Sequence, residues 1–170
     1  MQMQMRDVIV TPYDPQWPGQ YEVERVRLCL ALNSVLIASH HIGSTSVPGL
    51  AAKPVIDILL EVTELGELDT HSELMAVAGY EARGENGIAG RRYFIKGGDR
   101  RSHQVHAFNV GDEQIFTHLV FRDYLIENPK VAEAYAEVKH IAAATCDIKR
   151  YQELKQDFIS HHLKQAMQRP

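Results

Sequence analysis

Cysteine is scarce in this chain, with two in 170 residues, Cys29 and Cys146. They stand far apart and neither has a neighbour at metal-ligand spacing, which excludes a thiolate zinc knuckle and leaves a single disulfide as the alternative to free thiols. Each is expected to be a buried free thiol. Basic charge is not in excess either. A net charge of −4 and a pI near 6.1 give no general attraction to nucleic acid or to an anionic membrane. No apolar run approaches the roughly 20 residues that span a bilayer. The opening "MQMQMRDVIV" lacks a basic stretch leading into an apolar core, so it is not read as a secretory signal. The expected location is cytoplasmic, with no membrane partner.

Several chemical signatures are missing as well. There is no Gly-x-Ser-x-Gly elbow, no Gly-Lys-Ser/Thr phosphate loop and no His-Glu-x-x-His zinc helix. Gly84, Gly87 and Gly90 lack the strand-then-helix setting of a dinucleotide loop and predict a mobile loop near the site. What is present is the composition of an ordinary globular protein, 45% hydrophobic and 24% charged, enough to bury a core. With no repeat, linker or low-complexity tract, residues 1–170 are read as one domain.

Periodicity gives a coarse α-β-β-α-β-β-β-α-α-α order. Residues 7–11 could form a short edge strand. A helix bracketed by Pro15 and Pro18 runs to about Asn33, with Glu22, Glu24 and Arg25 on its exposed face. Strands are expected at 34–42, 55–62, 79–83, 91–96 and 103–110, with a helix near 69–78 and a Gly-Gly-Asp turn before the last strand. From about 112 the pattern is helical. Pro129 opens one helix, and Asp147 could cap the last. The fold class is therefore α/β (α+β): a small mixed sheet flanked by helices, with a helical C-terminal region.

One stretch raises a chemical question. In "HIGSTSVPGLAAKPVIDILLEV" a Gly-Ser corner is followed by a lone acid, Asp57, inside an apolar strand. Gly43 can bring backbone close to a ligand, and the N–H groups around Ser44 can aim at phosphate. Asp57 could hold a divalent cation against such phosphates, because hard carboxylate oxygens suit Mg²⁺. The same pattern also describes a tight turn before a core strand, with Asp57 hydrogen-bonded to a neighbouring loop.

That stretch resembles the signature of the GrpB family of small bacterial proteins, whose fold belongs to the nucleotidyltransferase superfamily. "RRYFIKGG", the His-x-x-His of "SHQVHAFNV", "LVFRDYLIENPKVAEAYAEVK" and "YQELKQDFI" resemble further family blocks in family order, over about residues 8–165. The resemblance implies a nucleotidyltransferase-like fold. It implies a phosphate cradle at Gly43, Ser44, Thr45 and Ser46, with Lys53 and Arg92 favoured among the basic residues because they lie within family blocks. It implies Asp57 as first metal acid, with Mg²⁺ or Mn²⁺ as cofactor, and His106 near where the superfamily places its last acid. The second acid of the superfamily pattern is replaced by Leu59. Residues 57 and 59 of a strand lie about 6.6 Å apart on one face, whereas Glu61, about 13 Å away, cannot substitute. A two-metal clamp is therefore in doubt.

Other residues admit two readings each. His103 and His106 should face opposite sides of their strand. His41 adjoins the corner, and His161 and His162 read as surface. Arg91, Arg92, Lys96, Arg100 and Arg101 make either a positive mouth or a solvated hairpin tip. Arg122 either pairs with Asp123 or serves the site, and Tyr151 and Lys155 share a helical face that could close over it. The expectation is a protein that binds a nucleotide or phosphorylated small molecule, with Asp57 and His106 as catalytic residues if it transfers nucleotidyl groups. The alternative is a non-catalytic binding or interaction module. A metal-dependent hydrolase is a third reading, and it requires Asp57 and His106 to converge. Oligomeric state is not legible.

Overall fold

A computed structural model describes residues 9–144 and 148–168. Helix α1 (Trp17–Leu32) begins after a turn in which the Asp14 carboxylate accepts from the Gln16 N–H, and it stops at Asn33, whose φ is 49°. One 3₁₀ turn (Asn33–Val35) therefore precedes strand β1 (Leu36–Ile42), which starts two residues later than expected. Strand β2 (Ile56–Val62) leads to two short helices, α2 (Leu65–Asp69) and α3 (Ser72–Val77), where the sequence suggested one. Strand β3 is only Glu81–Ala82. Strands β4 (Arg91–Lys96) and β5 (His103–Asn109) fall where predicted. Their turn needs Gly97, at φ +95°, because a Cβ there would lie 2.4 Å from the Arg100 carbonyl oxygen.

Helices α4 (Glu113–Glu127, capped by Asp112), α5 (Pro129–Ala144) and α6 (Ile148–Met167) complete the chain. Asp147 and Cys146 lie outside the described residues, as do residues 7 and 8 of the expected edge strand. Of that strand, Thr11 contributes one bridge, to Ala52.

The sheet runs β1-β2-β5-β4-β3. Its single parallel pair, β2 with β5, lies at the centre; the other neighbours are antiparallel. Alternation along β2 sorts the core. Ile56, Ile58, Leu60 and Val62 point towards α1, α2 and α3 and pack with Trp17, Leu28, Leu68, Met75 and Phe94. On the opposite face Leu59 joins Ile42, Phe108 and Ile115 under α4. A third cluster, Val47, Leu50, Leu125, Ala132 and Tyr135, glues the loop after β1 to the C-terminal helices.

Two expectations on α1, one of exposure and one of burial, are corrected. Glu24 is 3% exposed, because it lies between Tyr21 and Leu28 on the inward stripe. It accepts from Tyr80 Oη (2.7 Å), Lys96 Nζ (2.9 Å) and Arg27 (2.9 Å). Burial works to raise its pKa, and the Tyr80 and Lys96 hydrogen bonds more than offset it, so the carboxyl stays below its usual range. Cys29 is an exposed free thiol, being on the outer side of the same helix.

Candidate functional site

The site forms where β1 ends and the β2–β5 pair exposes its polar residues. Gly43 follows β1 at φ +73°, and a Cβ there would stand 2.6 Å from Asp57 Oδ2, so any side chain would collide with the acid. The turn Ser44–Ser46 is a single 3₁₀ helix. Its hydroxyls are largely committed to holding the turn. Thr45, buried, pairs its Oγ1 with His41 Nε2 (2.9 Å), and Ser46 Oγ donates to the Gly43 carbonyl (2.5 Å). Ser44 lies beside the phenol of Tyr135 on α5. The N–H groups of Ser44 and Thr45 have no backbone partner among the described residues.

Asp57 and His106 converge. They sit on adjacent parallel strands, two residues apart in register and therefore on one face, and His106 Nε2 lies 3.1 Å from Asp57 Oδ1. Gln104 also reaches this oxygen: in the amide orientation that satisfies both its ends, its nitrogen donates to Asp57 Oδ1 (2.9 Å). Its oxygen then accepts from Tyr93 Oη (3.1 Å) and Arg101 (3.2 Å). Oδ2 has no donor among the described residues and faces the Gly43 backbone.

The far side of the imidazole decides its chemistry. Arg91, buried, lies 3.4 Å from His106 Nδ1, and its other nitrogens donate to the carbonyls of Glu85 and Asn86. A guanidinium can only donate, so Nδ1 accepts and the ring hydrogen is assigned to Nε2, directed at Asp57. In this tautomer His106 steers Asp57 and does not offer Nε2 to a metal. His118 of α4, missed in the sequence, stands with its ring 6.1 Å from that of His106. Burial, reinforced by His106, lowers its pKa to about 4, so it is a neutral polar wall. It follows Ile115 by three residues on the inward face of α4, the periodic signal that could have found it.

The expected residues divide. Gly43, Ser44, Thr45, Ser46, Asp57 and His106 come together. Lys53 is half-buried on the loop into β2, just past the Ala52 bridge to Thr11. Arg92 is not brought to Asp57: alternation on β4 gives Arg91 and Tyr93 to the His106 face, and Arg92 turns to the other side. There it grips Asp69 through two hydrogen bonds, 2.9 and 3.1 Å. The five-cation mouth is split in the same way. Arg91 and Arg101 face the site, Lys96 serves Glu24, and Arg100 is exposed on the turn.

His103 does face away from His106, towards Glu24 and Lys96. His41 lies on the α1 side, stacked on Tyr21 at 4.9 Å, with its pKa pulled by burial to about 4. Arg122 pairs with Asp123 (2.9 Å), as one of its readings had it, and also donates to the His41 carbonyl (3.2 Å). Tyr151 is buried within the helical layer, and Lys155 is half-buried. His162 is half-buried against Phe158, ring to ring at 4.3 Å, while His161 is exposed. The glycine-bearing 84–90 loop is near the site, tethered by Arg91.

The residues present fit one divalent cation better than two. Asp57 Oδ2 would offer one hard oxygen to a divalent cation, which would have to draw its other ligands from outside the protein. Leu59, at 0% exposure, fills the second acid position with core. Among the described residues no group of three or more His, Cys, Asp and Glu is placed to hold an ion.

A five-stranded mixed sheet carrying a Gly-Ser corner and a strand acid, with helices on both faces, is a nucleotidyltransferase-like fold. Cid1, solved in complex with its short product ApU, shares it at a TM-score of 0.52 and 18% identity, over 78% of this chain and 42% of that one. The chain belongs to the GrpB family, whose model, described as "GrpB protein", matches residues 7–165. The conserved protein GrpB from Enterococcus faecalis has a crystal structure with a TM-score of 0.89 and 42% identity, covering 93% of this chain and 96% of that one. The UPF0157 protein YqkA of Bacillus subtilis (strain 168) is 47% identical over 139 residues, 82% of this chain. This chain spans 40% of the length of YqkA.

Proposed function

We propose that this protein binds a nucleotide or another phosphorylated small molecule at the Gly43–Ser46 corner, with one Mg²⁺ or Mn²⁺ held at Asp57. The observation that carries the reading is the setting of Asp57. Gln104 and His106 fix its Oδ1, and its Oδ2 is left open against the bare backbone of Gly43. A divalent cation there would neutralise phosphate charge. Asp57 holds the cation, His106 and Gln104 orient Asp57, and Arg91 fixes the His106 tautomer. The free N–H groups of Ser44 and Thr45 can donate to phosphate oxygens, and Arg101 adds positive charge. If nucleotidyl transfer occurs, an acceptor oxygen attacks the α-phosphorus in line and pyrophosphate leaves, with the protein contributing position and electrostatics.

A second reading, a binding module without catalysis, is favoured by Leu59. An enclosed leucine at the second acid position removes the ligand that would activate the acceptor oxygen in a two-ion mechanism. The test is a thermal-shift panel of nucleoside triphosphates with and without Mg²⁺ or Mn²⁺, on wild type and Asp57→Asn. Cation-dependent stabilisation lost in the variant supports the site, and pyrophosphate release separates transferase from binder. No shift with any triphosphate in either cation removes the nucleotide reading.

A further inference from the structure

The helical C-terminal region reaches the corner through one face of α5. The Tyr135 phenol comes beside Ser44, at the head of the loop that joins β1 to β2. One helical turn later, Lys139 Nζ donates to the Ala51 carbonyl near the tail of the same loop. Both side chains are enclosed, Lys139 at 1% exposure, and its ammonium lies over the Tyr135 ring, 4.7 Å from the centroid. A fully buried lysine is costly unless its charge has a use. Here no acidic side chain among the described residues is ion-paired with it, and the acceptor of its ammonium is a neutral carbonyl.

We propose that Lys139 and Tyr135 are positioning residues for an anionic ligand at the corner, Lys139 placing a buried positive charge under the loop and Tyr135 fixing Ser44. This rests on the phosphate-corner reading above. A seated phosphate supplies the negative charge the lysine lacks, so binding and protonation of Lys139 favour each other. The Tyr135 ring and the Ala51 carbonyl favour the ammonium, but they are outweighed. Burial first, then the Lys155 ammonium on α6, brings its pKa to about 7. Tyr135 and Tyr151, the neighbouring phenols, have pKa values raised by burial and stay neutral. A ligand that restores the lysine towards its ordinary value therefore takes up a proton as it binds above neutrality.

The experiment is calorimetric titration of the full chain with MgATP and with inorganic tripolyphosphate between pH 7.5 and 9. It uses buffers of differing ionisation enthalpy, on wild type, Lys139→Met and Tyr135→Phe, with circular dichroism to confirm folding. Wild-type affinity is expected to fall about tenfold per pH unit, with close to one proton taken up. Lys139→Met should bind at least about tenfold more weakly at pH 7.5 and lose both proton uptake and pH dependence. Tyr135→Phe, which keeps the ring, should bind more weakly and retain proton uptake. Wild-type affinity and proton uptake in Lys139→Met overturn the proposal and leave the corner intact. If wild type binds neither probe, the corner reading itself falls, and this proposal with it.

Discussion

Replacing Leu59 is the most direct way to ask what became of the second acid position. Its side chain is fully enclosed by Ile42, Phe108 and Ile115, with Ile88 and Leu119 packed behind them. It sits on the central β2, paired on one side with His40 and on the other with His106, so the backbone cannot close in on a void. Leu→Ala changes in cores cost about 2–5 kcal/mol, more where the cavity stays open. Leu59→Ala should therefore fall in the upper half, about 3–5 kcal/mol, read as a drop in the urea midpoint at unchanged slope. Leu59→Asp restores the acid-x-acid spacing but removes the same burial and adds an unpaired carboxylate. It should be at least as destabilising, and neither Mg²⁺ nor Mn²⁺ should recover it, because apolar side chains surround the new group. A cost under about 1 kcal/mol for Leu59→Ala, or recovery of Leu59→Asp by Mn²⁺, would refute the view that core has replaced a metal ligand here.

Other expectations follow from single contacts. Arg91→Met strips donors from the Glu85 and Asn86 carbonyls, so hydrogen exchange across 84–90 should accelerate and stability fall by about 1–3 kcal/mol; unchanged exchange would show the loop is held otherwise. Arg92→Ala breaks a partly exposed pair with Asp69, and should cost no more than about 1 kcal/mol while leaving any triphosphate-induced thermal shift intact. For Lys139 the folded pKa, about 7, lies below the unfolded value of about 10.4, so the unfolded chain binds more protons between them. Stability should accordingly rise with pH in that window, by at most about 1.4 kcal/mol per unit, and level off below pH 7. Lys139→Met should abolish the rise in urea unfolding curves at pH 7.5 and 9; a parallel rise in both proteins would assign it to other groups.

Local signals were legible where one element decides them. The β-branched run of β2, the Gly-Gly turn before β5 and the Pro129 helix start were readable because each is set by its own residues. The opposed faces of His103 and His106 follow from strand alternation alone. What escaped depends on partners distant in sequence. Arg91 outranks Arg92 through the β4–β5 register, which no single strand reveals. Glu24 looked like surface because its acceptor role requires Tyr80 and Lys96, 56 and 72 residues away. Tyr135 and Lys139 read as ordinary helix residues until the loop they hold is in place. Family blocks located the corner and Asp57, and the contacts of Arg92 lay beyond them.

The place of β5 in the sheet has a temporal consequence. Asp57 and His106 lie 49 residues apart, and β5 is the last strand in the chain yet enters between β2 and β4. Before it arrives, the chain can hold a β1–β2 hairpin on one side and a β3–β4 pair on the other, with no ladder between them. Pairings so distant in sequence are slow to close. The step that joins the two halves also delivers His106 and Gln104 to Asp57, so an oriented carboxylate and a continuous sheet arise in one event. A chain stopped before His103 would thus carry the corner and the acid without the means to aim them.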